Sequence, residues 1–522
     1  MGTTISPPQT LVILLLLLLL SEPYFQINGH DFEIEEATIE DVQRAFCDNK
    51  LTSRELVDYY LDRIESLNPV LRSVIEINPD AVAEAERADS ERRAADNVSR
   101  SSLHGIPVLL KDSIATKDKL NTTAGSYALL GASVPRDAGV VERLRNAGAV
   151  ILGKASMSEW YHFRSPGIPN GWCARSGQGL NPYVKSGDPC GSSSGSAISV
   201  AANMAMVSIG TETDGSLICP GDHNSVVALK PTVGLTSRAG VIPLSPRQDT
   251  VGPICRTVSE AAHVLDTIVG YDPRDSAATM AAAKYIPSGG YAQFLNKNGL
   301  EGKRLGVVRN PFFTVSSRTP VFEAHLRTLR EKGATILDNL EIGNIDTVLN
   351  PVLCGEAMVL MAEFKVSLNE YLKELITSPV RSLSDVIIFN QNNPVLERSE
   401  ELGQDILIAA NSTNGIGEEE KQAIDTMEKL SREGFEKLML DNELDAMVTL
   451  GSDAATVAAI GGFPAITVPA GYDDSDGMPF GMFFGGLKGT EPKLIEIAYA
   501  FEQATMIRKP PSFKSLGLSC SM

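Results

Sequence analysis

Residues 189–216 read PCGSSSGSAISVAANMAMVSIGTETDGS. Ser186–Ser196 has the Gly/Ser composition of a loop, because those residues tolerate turn conformations and offer little to bury. Ala197–Ala205 is a run of small residues that reads as a closely packed helix, and Met206–Ile209 resumes as a short apolar strand. Thr211–Ser216 then turns through Asp214-Gly215. Loop, helix, buried strand and turn in this order belong to an α/β layer structure.

The same alternation extends in both directions. Upstream, Thr38–Cys47 and Thr52–Leu67 read as amphipathic helices; the second opens on Thr52-x-x-Glu55, a capping box, with Leu56, Tyr59, Tyr60 and Ile64 at helical spacing. A third helix starts at Asn78-Pro79 and runs to about Ala95. Ile106–Leu110 and Ala149–Leu152 are apolar runs that read as buried strands, with a helix at Gly139–Asn146 between them and Gly148 as its terminator. Downstream, strand Leu305–Val308, helix Val321–Glu331 and strand Ala334–Leu337 follow in turn. Ala446–Leu450 and Ala465–Val468 read as strands, and Leu494–Gln503 as a helix. Residues 270–302, with their Pro, Gly, Asp and Asn, read as a surface excursion, and no clean two-domain boundary is visible.

The chain has 522 residues, 43% of them hydrophobic, enough for a large core. Its net charge of −19 is spread along the chain, which repels phosphate backbones and argues against nucleic acid as a partner. Leu11–Leu20 is an unbroken apolar run, short for a membrane span and right for a signal peptide, expected over residues 1–27. No Lys or Arg precedes it and no small-x-small site follows, so a signal anchor is the alternative. Sequons at Asn97, Asn121 and Asn411 fit a secretory route. The seven cysteines show neither a disulfide framework nor zinc-site spacing, which leaves room for one or two bridges in a secreted protein.

Three segments carry the chemistry: Leu103–Asp112 (LHGIPVLLKD), Pro189–Ser196 (PCGSSSGS) and Gly210–Ser216 (GTETDGS). A lysine ending an apolar strand usually marks where the strand meets water, and Lys154, after Val150–Gly153, is the internal control for Lys111. A buried lysine, however, favours the neutral amine and can act as a base. Gly191–Gly195 formally matches G-x-S-x-G with Ser193 at its centre. A nucleophile elbow needs an apolar strand immediately before it, and here Lys185–Cys190 is loop; the last His, His325, also comes too early for an α/β-hydrolase. No Lys-Ser/Thr follows the glycine, which excludes a P-loop.

Together the three segments are specific. The chain resembles the amidase signature family, and within it the peptide-amidase-like branch of bacteria and plants, over residues 33–515 as a single domain, with a tail at 516–522. The match is densest from Gly191 to Arg256, where LKPTVGLTSRAGVIPLSPRQDTVGP follows the serine segments, and returns at Gly462–Pro469 and Met478–Gly481. The resemblance implies an α/β amidase signature fold, a large mixed β-sheet core covered by helices on both faces. It implies a Ser–cis-Ser–Lys triad with Ser216 as nucleophile, Ser192 as proton relay on a cis peptide, and Lys111 as neutral base. The backbone N–H groups of Thr213, Asp214 and Gly215 would form the oxyanion hole. No metal or cofactor is implied. Two departures stand out: Cys219-Pro-Gly-Asp-His-Asn224 carries polar residues where relatives have small or apolar ones, and Ala228 stands where the family prefers Gly.

The expected activity is hydrolysis of a carboxamide, a C-terminal peptide amide or small acyl amide, to carboxylate and ammonia. Fatty-acyl and indole-acetamide substrates are alternatives, with Met157, Trp160, Phe163 and Trp172 as candidate pocket residues that could equally be core. A scaffold module without activity is the alternative from another class, and the intact triad argues against it. A tRNA amidotransferase subunit is disfavoured by the acidic chain and the leader. The partners expected are therefore a small-molecule or peptide amide, with no nucleic acid and no stable membrane association once the signal is removed.

Overall fold

The computed structural model describes residues 32–94, 101–313 and 316–513. The leader, the 516–522 tail and Asn97 lie outside them.

The strands are β1 (Val74–Ile77), β2 (Pro107–Lys111), β3 (Val150–Ala155), β4 (Trp172–Cys173), β5 (Gly177–Gln178), β6 (Val207–Glu212), β7 (Val227–Lys230), β8 (Thr250–Cys255), β9 (Arg304–Val307), β10 (Thr335–Leu337), β11 (Ala446–Leu450), β12 (Ala465–Tyr472) and β13 (Pro479–Gly485). Eleven of them form one sheet in the order β1-β3-β2-β6-β8-β7-β12-β13-β11-β9-β10, and β4 with β5 makes a separate ribbon. The pairs β2–β3, β2–β6, β9–β10 and β9–β11 are parallel. The joints β6–β8, β8–β7, β7–β12, β12–β13 and β13–β11 are antiparallel, so the sheet is mixed. Every residue of β2, β3, β6, β7, β8, β11 and β13 is buried. Since successive side chains point to opposite faces, that requires cover on both sides, as the resemblance implied.

The caps explain several helix starts. Thr52 Oγ1 accepts the Glu55 N–H at 3.1 Å and the Glu55 carboxylate accepts the Thr52 N–H at 2.8 Å, opening the helix Ser53–Leu71. It runs past the expected Leu67 with Pro69 inside it, and the Asn68 side chain receives the N–H groups of Ser73 and Val74 beyond its end. The helix after the Gly/Ser loop spans Ser194–Ala201, starting earlier than its apolar residues suggest. Strand β6 continues past Ile209 to Glu212 because its partner β8 pairs with it as far as Thr250. Helix Gly139–Asn146 falls where its pattern places it.

The topology brings the chemistry to one edge. In the parallel pair β2–β6, Leu110 lies opposite Ile209, so Lys111 and the turn after Glu212 both emerge at carboxyl ends of neighbouring strands. Such an edge is where α/β sheets hold their ligands.

Candidate active site

Lys111 is fully buried at the end of β2. Its Nζ lies 2.8 Å from Ser192 Oγ, 2.9 Å from Ser193 Oγ, 2.9 Å from Thr211 Oγ1 and 3.1 Å from the Thr211 carbonyl oxygen. Burial holds its pKa well below the usual lysine range, although Glu212 and Asp249 pull the other way. A neutral amine has two N–H groups and one lone pair. Ser193 gives its own proton to the Thr211 carbonyl at 3.0 Å, so it can only accept from the lysine. The Thr211 carbonyl likewise can only accept, so the lone pair faces the two remaining hydroxyls, Ser192 Oγ and Thr211 Oγ1.

Ser192 follows a cis peptide from Gly191, and its carbonyl accepts the Ser158 N–H at 3.1 Å. Ser216 is held against this loop by the Ser193 N–H, which donates to the Ser216 carbonyl at 3.2 Å. Ser216 retains 8% exposure, and its hydroxyl makes no hydrogen bond among the described residues, including none to Ser192. The N–H groups of Thr213, Asp214 and Ser216 are likewise without partners among the described residues. That of Gly215 faces the Glu212 carboxylate, which also receives the Leu217 N–H at 2.6 Å and the Ile218 N–H at 3.0 Å. Glu212 thereby fixes the start of the helix after Ser216.

The turn is tied down on two more sides. Thr213 Oγ1 donates to Asp249 at 2.6 Å, and the same carboxylate takes the N–H groups of Leu244 and Ser245. Burial pushes Asp249 up to about 6 against the pull of those donors. Asp214 accepts from the Thr456 hydroxyl at 2.9 Å, with its pKa raised by burial and by the nearby Glu356 and Glu212 carboxyls.

The structure thus gathers all six residues singled out in the sequence into one site, and adds others. Thr211 and Glu212 carried no separate signal because each lies inside a motif read for its neighbour, Ser193 stood out only as the centre of the rejected G-x-S-x-G match, and Asp249 comes from a loop distant in sequence. Tyr161 was missed as well: its ring centroid is 5.1 Å from Lys111 Nζ and its hydroxyl donates to the Ile242 carbonyl. Trp160, Tyr161 and His162 all have positive φ, a turn that no residue pattern announces. Of the apolar candidates, Met157 and Trp160 are fully buried in a cluster with Phe364, Phe163 packs edge-on against the same ring at 5.4 Å, and Trp172 joins Ile168 and Leu402.

One sequence expectation needs correction. Lys154 does not end at water: it is fully buried, donates to the Ile114 carbonyl at 2.6 Å and Thr122 Oγ1 at 2.8 Å, and is lowered by burial to about 8. Strand-end position therefore does not separate the two lysines; their partners do. The cysteine spacing left room for one or two bridges without naming a pair, and one disulfide joins Cys190 and Cys219, which flank both serine loops. No group of three or more His, Cys, Asp or Glu is placed to hold a metal ion among the described residues, and no helix there is long and apolar enough to cross a membrane.

Along most of its length the chain is similar to known amidases. The amidase family model matches residues 55–495. A probable amidase of Arabidopsis thaliana is 60% identical over 482 residues, covering 92% of this chain and 92% of its own. The native peptide amidase of Stenotrophomonas maltophilia superposes with a TM-score of 0.86 at 42% identity, covering 92% of this chain and 99% of that one. A peptide amidase solved with the competitive inhibitor chymostatin superposes with a TM-score of 0.87 at 42% identity, covering 92% and 100%. With a family model matched over most of its length and relatives this similar at full span, the chain belongs to the amidase signature family and is an amidase.

Proposed function

We propose that the protein is a serine amidohydrolase that converts a primary carboxamide, the C-terminal amide of a peptide or a small acyl amide, to a carboxylate and ammonia. Ser216 Oγ attacks the amide carbon while its proton passes to Ser192 Oγ, and the Ser192 proton passes to Lys111 Nζ. The carbonyl oxygen becomes an oxyanion facing the turn's N–H groups, of which those of Thr213 and Asp214 have no partner among the described residues while that of Gly215 is shared with the Glu212 carboxylate, each donor worth roughly 3–4 kcal/mol in comparable sites. The C–N bond breaks as the relay returns a proton to the leaving nitrogen, and water then hydrolyses the acyl-Ser216 ester with the relay acting again as base.

The observation that carries this reading is the buried Lys111 amine 2.8 Å from Ser192, in a setting that favours its neutral form. A lysine there acts as a base at neutral pH, which an exposed one does not. The substrate class is supported by the peptide amidases with which the chain superposes. Passage through the secretory route is supported by the Leu11–Leu20 run and by a disulfide, which persists in oxidising compartments.

The test is ammonia release from amidated dipeptides, fatty acyl amides and indole-3-acetamide by wild type, Ser216→Ala and Lys111→Ala. Turnover by wild type alone names the acyl class and supports the mechanism. Full activity in Ser216→Ala would remove Ser216 as nucleophile.

A further inference from the structure

Cys190 lies two residues before Ser192, and Cys219 three residues after Ser216. Their disulfide closes a ring of chain that contains both serines, with the helix Ser194–Ala201 and strand β6 between them. On the site side, a single backbone hydrogen bond, from Ser193 N–H to the Ser216 carbonyl, joins the two loops. On the far side, His223 Nδ1 lies 2.8 Å from the Asp188 carbonyl oxygen and Asn224 Nδ2 donates to the Pro189 carbonyl at 2.8 Å. The bridge sits between these two sets of contacts, the one covalent tie between the loops.

Its two ends also carry local order. Cys190 has φ +54°, the left-handed region that a side chain rarely adopts, and its carbonyl accepts the Ser194 hydroxyl. The Cys219 N–H donates to the Gly215 carbonyl at 2.8 Å, within the turn whose N–H groups face the reacting carbonyl. A change at either sulfur therefore passes through two residues to one serine and through one hydrogen bond to the other's turn. Cys219 is partly exposed, while Cys190 is buried. Cys47, Cys173, Cys255 and Cys354 are free thiols, which leaves this bridge as the disulfide among the described residues.

We infer that the Cys190–Cys219 disulfide is a redox-sensitive positioning bridge that holds the Ser192 and Ser216 loops in reacting register, so that its reduction lowers turnover without unfolding the protein. The inference rests on the proposed roles of Ser192 and Ser216. The reductant is a dithiol. One of its thiolates attacks a bridge sulfur and the S–S bond breaks. The second thiol then resolves the mixed disulfide: two electrons and two protons end on Cys190 and Cys219 as thiols, and the dithiol leaves as its own cyclic disulfide. Neither cysteine touches the substrate; the effect is geometric.

The experiment uses the full chain, treated with dithiothreitol under native conditions, with thiols counted after denaturation to establish a gain of two. Three quantities are followed: kcat and KM on an amidated dipeptide that wild type hydrolyses, the rate of fluorophosphonate labelling mapped to its residue by peptide mass, and the melting temperature. Reduction is expected to lower kcat and the labelling rate together by about tenfold to a hundredfold, the size of effect that small misplacements of reacting groups produce. KM should stay within about threefold, since only interactions made in the transition state are lost. The fold should persist at the assay temperature, and activity should return with oxidised glutathione. Cys219→Ser should start at the reduced level and ignore the dithiol. Unchanged kcat and labelling with two thiols gained would overturn the inference, as would a loss of activity that only follows unfolding. Labelling at a residue other than Ser216 would instead show that the underlying catalytic reading is wrong.

Discussion

Replacing Lys111 by methionine and by arginine separates a neutral base from a positive charge. Methionine keeps most of the side-chain volume of a residue that is fully buried and removes only the nitrogen. The four close contacts of Nζ disappear, and the Ser192 hydroxyl loses its partner among the described residues. A buried hydroxyl left unpaired costs about 1–3 kcal/mol. Against this, the variant no longer carries an amine that burial forces toward neutrality, so the melting temperature should move by only a few degrees. The catalytic loss is much larger: removing a general base costs about 10²–10⁴ in rate. Arginine keeps a charge but cannot give up its proton in a protein, so Lys111→Arg should be as inactive as Lys111→Met. The wild-type kcat/KM should rise with pH on a limb below the usual lysine range, because the proposed mechanism uses the neutral amine and burial lowers its pKa. Residual activity in Lys111→Met should lack that limb. Stability carries the opposite face of the same shift: the folded chain binds fewer protons than the unfolded one between the lowered pKa and about 10.4, so wild type should gain on Lys111→Met as pH rises through that window. Ammonia release from pH 5 to 10 and thermal melts on the same samples read all of this. Retention of more than a tenth of wild-type kcat by Lys111→Arg would refute the neutral-base argument.

Gly195→Ala should not yield a stable fold, because a Cβ there would lie 2.4 Å from the carbonyl oxygens of both Ser73 and Ser156. Backbone cannot give way as a side-chain tip can, so the cost should reach about 3 kcal/mol or more; a soluble variant with the wild-type melting temperature would contradict this packing. Burial pushes Glu502 up to about 7 while its carboxylate receives the Val258 N–H at 2.8 Å. The folded chain then holds more protons than the unfolded one from about pH 4.3 upward, so wild type should lose up to about 3 kcal/mol relative to Glu502→Gln as pH rises to about 7. Denaturant midpoints at pH 4.5 and 7.5 test this, and a constant difference between the two proteins would sink it. In protein made through a secretory host, Asn121 should carry no glycan: its Nδ2 donates to both Glu76 carboxylate oxygens at 3.0 and 3.2 Å and its Oδ1 accepts the Gly131 N–H. Peptide mass mapping settles this directly, a modified Asn121 in folded, active protein being the contrary result.

What the sequence discloses follows from how local each signal is. Helix Gly139–Asn146 and the capped start at Thr52 are set by residues within a turn or two, and they fall where their patterns place them. Lys111, Ser192 and Ser216 were legible only as parts of motifs, since no property of a lone lysine or serine distinguishes them. Lys154 shows the limit from the other side, being equally buried at the end of its own strand. The strand β8 escaped notice because Gly252 and Pro253 lie within it, residues that read as a turn until β6 and β7 are known to flank it. Asp249 and Tyr161 reach the site from loops distant in sequence, and only the assembled fold places them there. The bridge between Cys190 and Cys219 belongs to the same class, its halves brought to a Cα separation of 5.8 Å across a helix and a strand.

The two departures from the family pattern prove to be one local solution. Ala228 lies on β7, behind the helix Ile218–His223 that follows the Ser216 turn. A Cβ at Gly221 would come within 2.7 Å of the Ala228 methyl and within 2.7 Å of Thr467 Cγ2. The methyl gained at Ala228 is thus accommodated by a glycine on the facing helix, and the helix keeps its distance from the sheet. Asp222 does not enter the substrate side: it is 4% exposed and its carboxylate accepts the Gly481 N–H on β13. His223 turns the other way, to the Asp188 carbonyl in the loop before Ser192. The polar residues that replace apolar ones in this segment therefore fasten the helix after Ser216 at two points, to the sheet behind it and to the Ser192 loop beside it. Their effect on chemistry runs through the position of Ser216, which makes this segment a support of the site and leaves the identity of the acyl group to be set elsewhere.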